Sequence, residues 1–189
     1  LASIAVLWLL VQMQEVVGWG LLLSGAGLLA YVAYVAVTQL KPDERDRIFV
    51  IIFLLMLQPV FWGLFEQAGA AVSLFTDRHG DRSFMGWEIP TTWFQSVNAA
   101  FIILLGPLFA SLWTTLGRKG LEPSTPAKFG LAIVQVGFGF LLLVWGAQAQ
   151  GTGVATSMWL IVLLYLLHTT GELCLSPVGL SAMNRLAPW

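Results

Sequence analysis

Long apolar runs separated by short polar connectors dominate this chain. They cover residues 2 to 15, 19 to 40, 48 to 75, 92 to 116, 127 to 149 and 156 to 176. A helix needs roughly 20 apolar residues to cross a bilayer's hydrocarbon. The pattern therefore predicts one truncated and five complete membrane helices, an all-α polytopic transmembrane bundle. Gln58-Pro59 and Gly106-Pro107 fall inside two of the runs, and each proline removes a backbone donor, which predicts a bend. Small residues between Gly18 and Ala33 predict close helix packing. The stretch from Thr76 to Pro90 reads as a polar loop, with Thr91 and Thr92 as candidate caps for the helix that follows.

The charges orient this pattern, because Lys and Arg beside helix ends favour the cytoplasmic side. With Lys41, Arg45 and Arg47 inside, alternation also puts Arg118, Lys119, Lys128 and Arg185 inside, leaving Arg78 and Arg82 outside. The loops at 41–47, 117–127 and 178–189 are then cytoplasmic, and those at 76–91 and 149–155 extracytoplasmic. The expected location is the inner or plasma membrane.

Composition agrees: 58% of residues are hydrophobic and 10% charged, with a mean hydropathy of +0.82, where soluble domains carry about 25% charged residues. A net charge of −1 with few, scattered cations argues against a nucleic-acid partner. The single Cys174 excludes an internal disulfide and reads as a small buried hydrophobe. The chain begins inside an apolar stretch without Met and shows no leader layout, so it is expected to be part of something longer.

Polar residues inside the runs are the candidate chemistry, since a carboxylate at membrane depth costs several kcal/mol unless partnered. Gln58, Trp62, Glu66, Gly69 and Ser73 recur at helical spacing on one face, and that face should look inward. Glu66 lies about 14 Å from the outer end of its run at 1.5 Å per residue. On the last run Tyr165, His168, Thr169, Glu172 and Ser176 share a face, and its direction places Glu172 near the cytoplasmic end. Gln95 and Asn98 form a third polar pair. Such residues either line a solvated pathway or serve as interhelical hydrogen-bonding groups, and Trp62 alone also suits a core or lipid-facing position.

Enzyme signatures are missing: there is no Gly-x-Ser-x-Gly, His-Glu-x-x-His or phosphate-cradling glycine loop. Glu66 and Glu172, read at opposite depths, are badly placed for acid-pair hydrolysis. His168 with Glu172 is too small a set for a metal, so neither catalysis nor a metal or other cofactor is expected.

Four stretches carry a more specific resemblance: FWGLFEQAG from Phe61, GWEIPTTWFQSVNAAFIILLGPLFASLW from Gly86, EPSTPAKFGL from Glu122 and GELCLSPVGLSAMNRLAP from Gly171. Together they resemble the proton-coupled oligopeptide transporter family of the major facilitator superfamily. The resemblance implies a C-terminal-half fragment, with two inter-domain helices over 1–40, the first truncated, and core helices seven to ten over 41–189. It implies symport of di- and tripeptides with protons by alternating access, the N-terminal half and the lipid bilayer being the chain's partners.

On the same resemblance Glu66, followed by Gln67, matches an outer-gate glutamate that pairs with an N-half arginine. Glu172 matches the residue that receives the peptide amino terminus and pairs with an N-half lysine, with Ser176 beside it. Trp62 and Asn98 match peptide-contacting positions; Gln58, Gln67, Gln95, Tyr165 and His168 are secondary candidates. The rival functions are a major-facilitator carrier of another small solute, such as nitrate, and a non-transporting membrane scaffold.

Overall fold

The computed structural model describes the backbone of residues 8, 11–149 and 155–186, and side chains as far as Leu175 apart from Ala149. The helices are α1 (Gln14–Gln39), α2 (Pro42–Phe65), α3 (Ala71–His79), α4 (Thr91–Arg118), α5 (Thr125–Ala149) and α6 (Met158–Leu186). A 3₁₀ turn, Glu66–Ala68, separates α2 from α3. Among the described residues five spans are long and apolar enough to cross a membrane, counting Pro42–His79 as one. By contacts the chain divides into two compact units, 1–53 with 186–189, and 54–185.

The first unit holds α1 and the start of α2. The break expected between residues 15 and 19 is not there, and Gln14–Gln39 is one continuous helix. Residues 14–19 contain no proline and a single glycine, too little to stop a helix whose neighbours all tolerate it. Most of the expected stub at 2–15 lies outside the described residues. The connector at 41–47 is shorter than its charges implied, because α2 starts at Pro42. Proline suits the first helical position, and the Lys41 N–H donates to Glu44 Oε2 at 3.2 Å, half of a capping box.

The second unit carries two apolar clusters. One joins α2, α5 and α6 through Leu54, Phe61, Phe129, Ala132, Val136, Cys174 and Leu175. The other joins α3, α4, α5 and α6 through Val72, Phe94, Leu143, Met158, Ile161, Leu164 and Tyr165. Small residues bring α5 and α6 together: a Cβ on Gly146 would lie 2.5 Å from Leu160, and one on Gly171 3.0 Å from the Ala132 carbonyl. Close packing by glycine, expected at 18–33, is therefore found here. At Gly18, Gly20, Gly25 and Gly27 an added Cβ meets nothing within 4 Å among the described residues. Large side chains such as Ile103, Leu104, Leu108, Phe138 and Trp145 point outward, as a lipid-facing surface requires.

The loop read as simply polar has its own structure. α3 runs on to His79, and Ser83–Phe84 pairs antiparallel with Trp87–Glu88. Their two-residue turn holds Met85 at φ 51° and Gly86 at φ 82°, the left-handed pair that a twisted hairpin needs. Arg82 ties the loop down: it lies 2.6 Å from Glu88 and 3.6 Å from Asp77, and donates to Thr91 Oγ1 at 3.0 Å. Thr91 in turn donates to Asp77. The Thr91 hydroxyl is thus spent on this network, and α4 starts after Pro90 with no side-chain cap. Gly80–Asp81 also pairs with Thr156–Ser157, which puts the loops before α4 and α6 on one face, as alternation requires.

Candidate functional site

The run expected as one span from 48 to 75 is broken, and the break is at Glu66. After the 3₁₀ turn, Ala70 takes φ −116° and ψ −84° before α3 begins. The helix continues through Pro59 instead. Carbonyls at a break lose their helical donors, and in a membrane no solvent replaces them. Side chains do so here. Both the Ser73 hydroxyl, at 3.0 Å, and the Tyr165 hydroxyl, at 3.4 Å, donate to the Ala68 carbonyl. Gln95 Nε2 donates to Ser73 Oγ at 2.9 Å, which fastens α4 to the same point.

A cavity of about 180 Å³ opens beside the break, lined by Phe65, Glu66, Ala68, Gly69, Gln95, Asn98, Tyr165 and His168. Residues from three segments distant in sequence therefore meet there. Glu66 itself is exposed, with no ion-pair partner among the described residues. Thr169 Oγ1 lies 2.5 Å from Asn98 Oδ1 and 2.7 Å from the Tyr165 carbonyl. Its one proton is shared between these two acceptors, the Asn98 amide oxygen and the Tyr165 carbonyl.

His168 is fully buried, its ring 5.9 Å from Phe65 and 5.2 Å from Phe140. Both its nitrogens, and Glu172 Oε2, are buried without a hydrogen-bond partner among the described residues. Trp62 donates from Nε1 to Gln58 Oε1 at 2.9 Å, one turn below the break. Gln67 turns back to the Gly63 carbonyl at 3.3 Å. Gln58, Trp62 and Gln67 are not among the residues lining the cavity. The Ser176 side chain lies outside the described residues.

Glu172 is not near the end of its helix. α6 extends through Pro177 to Leu186, where the run was expected to stop at 176, so Glu172 sits at its middle. It is one turn, about 6 Å of rise, beyond His168. The two carboxylates are therefore close in depth, both near Asn98, rather than at opposite faces of the membrane. Among the described residues no three His, Cys, Asp or Glu groups come together as a metal site.

The family model described as the POT family matches residues 11–189. The chain belongs to the POT family. It is 41% identical over 177 residues to the peptide transporter YePEPT of Yersinia enterocolitica subsp. palearctica, covering 86% of this chain and 34% of that protein. It is 34% identical over 154 residues to a dipeptide and tripeptide permease B of Shigella dysenteriae, covering 79% and 31%. Among solved structures, a POT family transporter in complex with 5-aminolevulinic acid superposes with a TM-score of 0.78 at 27% identity, covering 99% of this chain and 40% of that one. The peptide transporter POT in complex with sulfate superposes at 0.72 with 28% identity, over 99% and 41%. The chain spans about a third of the length of the curated relatives it matches. As a POT chain it is a multi-pass membrane protein of the major facilitator helical-bundle kind.

Proposed function

We propose that the full-length protein carries di- and tripeptides together with protons by alternating access, and that this chain supplies two inter-domain helices (1–40) and core helices seven to ten (41–189). The observation that supports this best is the Glu66 cavity. A broken membrane helix presents a carboxylate to a pocket shared with Asn98, and Glu172 stands one turn beyond. Discontinuous helices beside a mid-membrane site are a recurring transporter design. The relatives named as peptide carriers point the same way.

In this reading Glu66 pairs with an arginine of the N-terminal half to hold the outer gate. Glu172 receives the peptide amine and, when the site is empty, an N-half lysine. Trp62, Asn98 and Ser176 contact peptide. Protonation of a carboxylate, or competition by a charged peptide terminus, breaks a buried pair and frees its gate. The coupling ion is the proton, and the protein performs transport rather than catalysis. A neighbour bound to 5-aminolevulinic acid, which has an amine and a carboxylate, fits amine-bearing cargo better than nitrate.

The test is uptake by the full-length protein in vesicles. A free-amine dipeptide should accumulate with an inward proton gradient, and collapsing the gradient should abolish accumulation. Glu172→Gln should weaken binding of that dipeptide roughly tenfold, the scale of one lost hydrogen bond to a charge, while an amine-blocked analogue changes little. Equal losses for both peptides would remove Glu172 from the amine site. No uptake by the unmutated protein would favour the scaffold reading, and full uptake with Gln at both 66 and 172 would remove the two carboxylates from coupling.

A further inference from the structure

α6 crosses Pro177 without breaking, although proline has no N–H to offer the carbonyl four residues earlier. That carbonyl belongs to Leu173, the residue next to Glu172. The Trp113 indole on α4 donates to it, Nε1 lying 3.4 Å from the Leu173 oxygen. The indole is held in turn. Lys128 of α5 sets its Nζ 4.3 Å from the Trp113 ring centre and 2.5 Å from Glu122 Oε1. Lys128 is 2% exposed, so this ammonium is tied to the ring and carboxylate rather than free in solvent.

We propose that Trp113, backed by the Lys128–Glu122 pair, is a positioning residue: it replaces the hydrogen bond that Pro177 cannot make and so fixes the turn of α6 that presents Glu172. This rests on the reading of Glu172 as the amine-binding carboxylate. Trp113→Phe keeps an aromatic face for Lys128 and removes only the indole donor. Pro177→Ala returns the missing N–H and makes the indole dispensable.

The experiment uses the full-length protein with two readouts, hydrogen–deuterium exchange across residues 172–180 and affinity for a free-amine dipeptide. Trp113→Phe should speed exchange there and weaken affinity roughly fivefold, the scale of one net hydrogen bond. In a Pro177→Ala background the same substitution should change both by less than twofold. Unchanged exchange in Trp113→Phe, or equal effects in the two backgrounds, would overturn the proposal. If the unmutated protein binds no peptide, the proposed function fails, and the exchange readout alone decides whether Trp113 holds α6.

Discussion

Two carboxylates lie beside two backbone interruptions, and the interruptions are handled in opposite ways. At Glu66 the chain has no proline yet the helix opens into a 3₁₀ turn and an irregular residue. At Pro177 it has a proline yet the helix runs on. In each case side chains supply what the backbone lacks: Ser73 and Tyr165 donate to the Ala68 carbonyl, and Trp113 to that of Leu173. What differs is the surroundings. The Glu66 break faces a cavity shared with Gln95 and Asn98, so an irregular backbone lines polar space there. The Leu173 turn carries Cys174 and Leu175 into a buried cluster with Leu54, Phe61 and Ala132, and close neighbours there leave no polar space for the helix to open into. A helix in this bundle opens where it borders a polar cavity and stays closed where it is packed, and proline by itself decides neither.

The strongest test of the closed side concerns the buried charge behind Trp113. The Lys128 side chain is 3% exposed and that of Glu122 45%, so the two partners should not be equivalent. Glu122→Gln strands a buried ammonium and should cost about 3 kcal/mol. Lys128→Met leaves an exposed carboxylate and a buried apolar stem, and should cost about 1 kcal/mol or less. Thermal unfolding of the purified protein reads both; equal losses would mean that the pair is solvated rather than buried.

The open side should show redundancy. A carbonyl oxygen has two lone pairs, and Ala68 uses both. Ser73→Ala or Tyr165→Phe alone should cost about 1 kcal/mol or less, since one donor remains. Together they leave a half-buried acceptor bare, and the pair should cost more than the sum of the singles by about 1 kcal/mol. Strict additivity in a denaturation double-mutant cycle would show that the two hydroxyls do not share the carbonyl.

Much of this was legible in the residue pattern because its causes are local or periodic. Apolar length marked the spans, and helical spacing grouped Glu66 with Gly69 and Tyr165 with His168, residues that line one cavity. The break at Glu66 was not legible, since Glu66-Gln67-Ala68-Gly69-Ala70 contains no strong helix stop; it depends on Ser73 and Tyr165 meeting Ala68. The depth of Glu172 was misread for a related reason: the apolar run stops at 176 but the helix runs on to Leu186, and the indole that donates to the Leu173 carbonyl, Trp113, sits 60 residues before it. The Met85–Gly86 turn also escaped notice, having only a glycine where Asn-Gly or Asp-Gly would have announced a hairpin.

Glu66 is proposed to stand in the membrane as the proton-sensitive half of a gate. Glu66→Gln in the full-length protein, reconstituted in vesicles, tests it through two assays run side by side: proton-driven accumulation of a dipeptide, and counterflow, which needs no net proton movement. Accumulation should fall to the level seen without a gradient while counterflow survives in part. Accumulation undiminished by the substitution would contradict it.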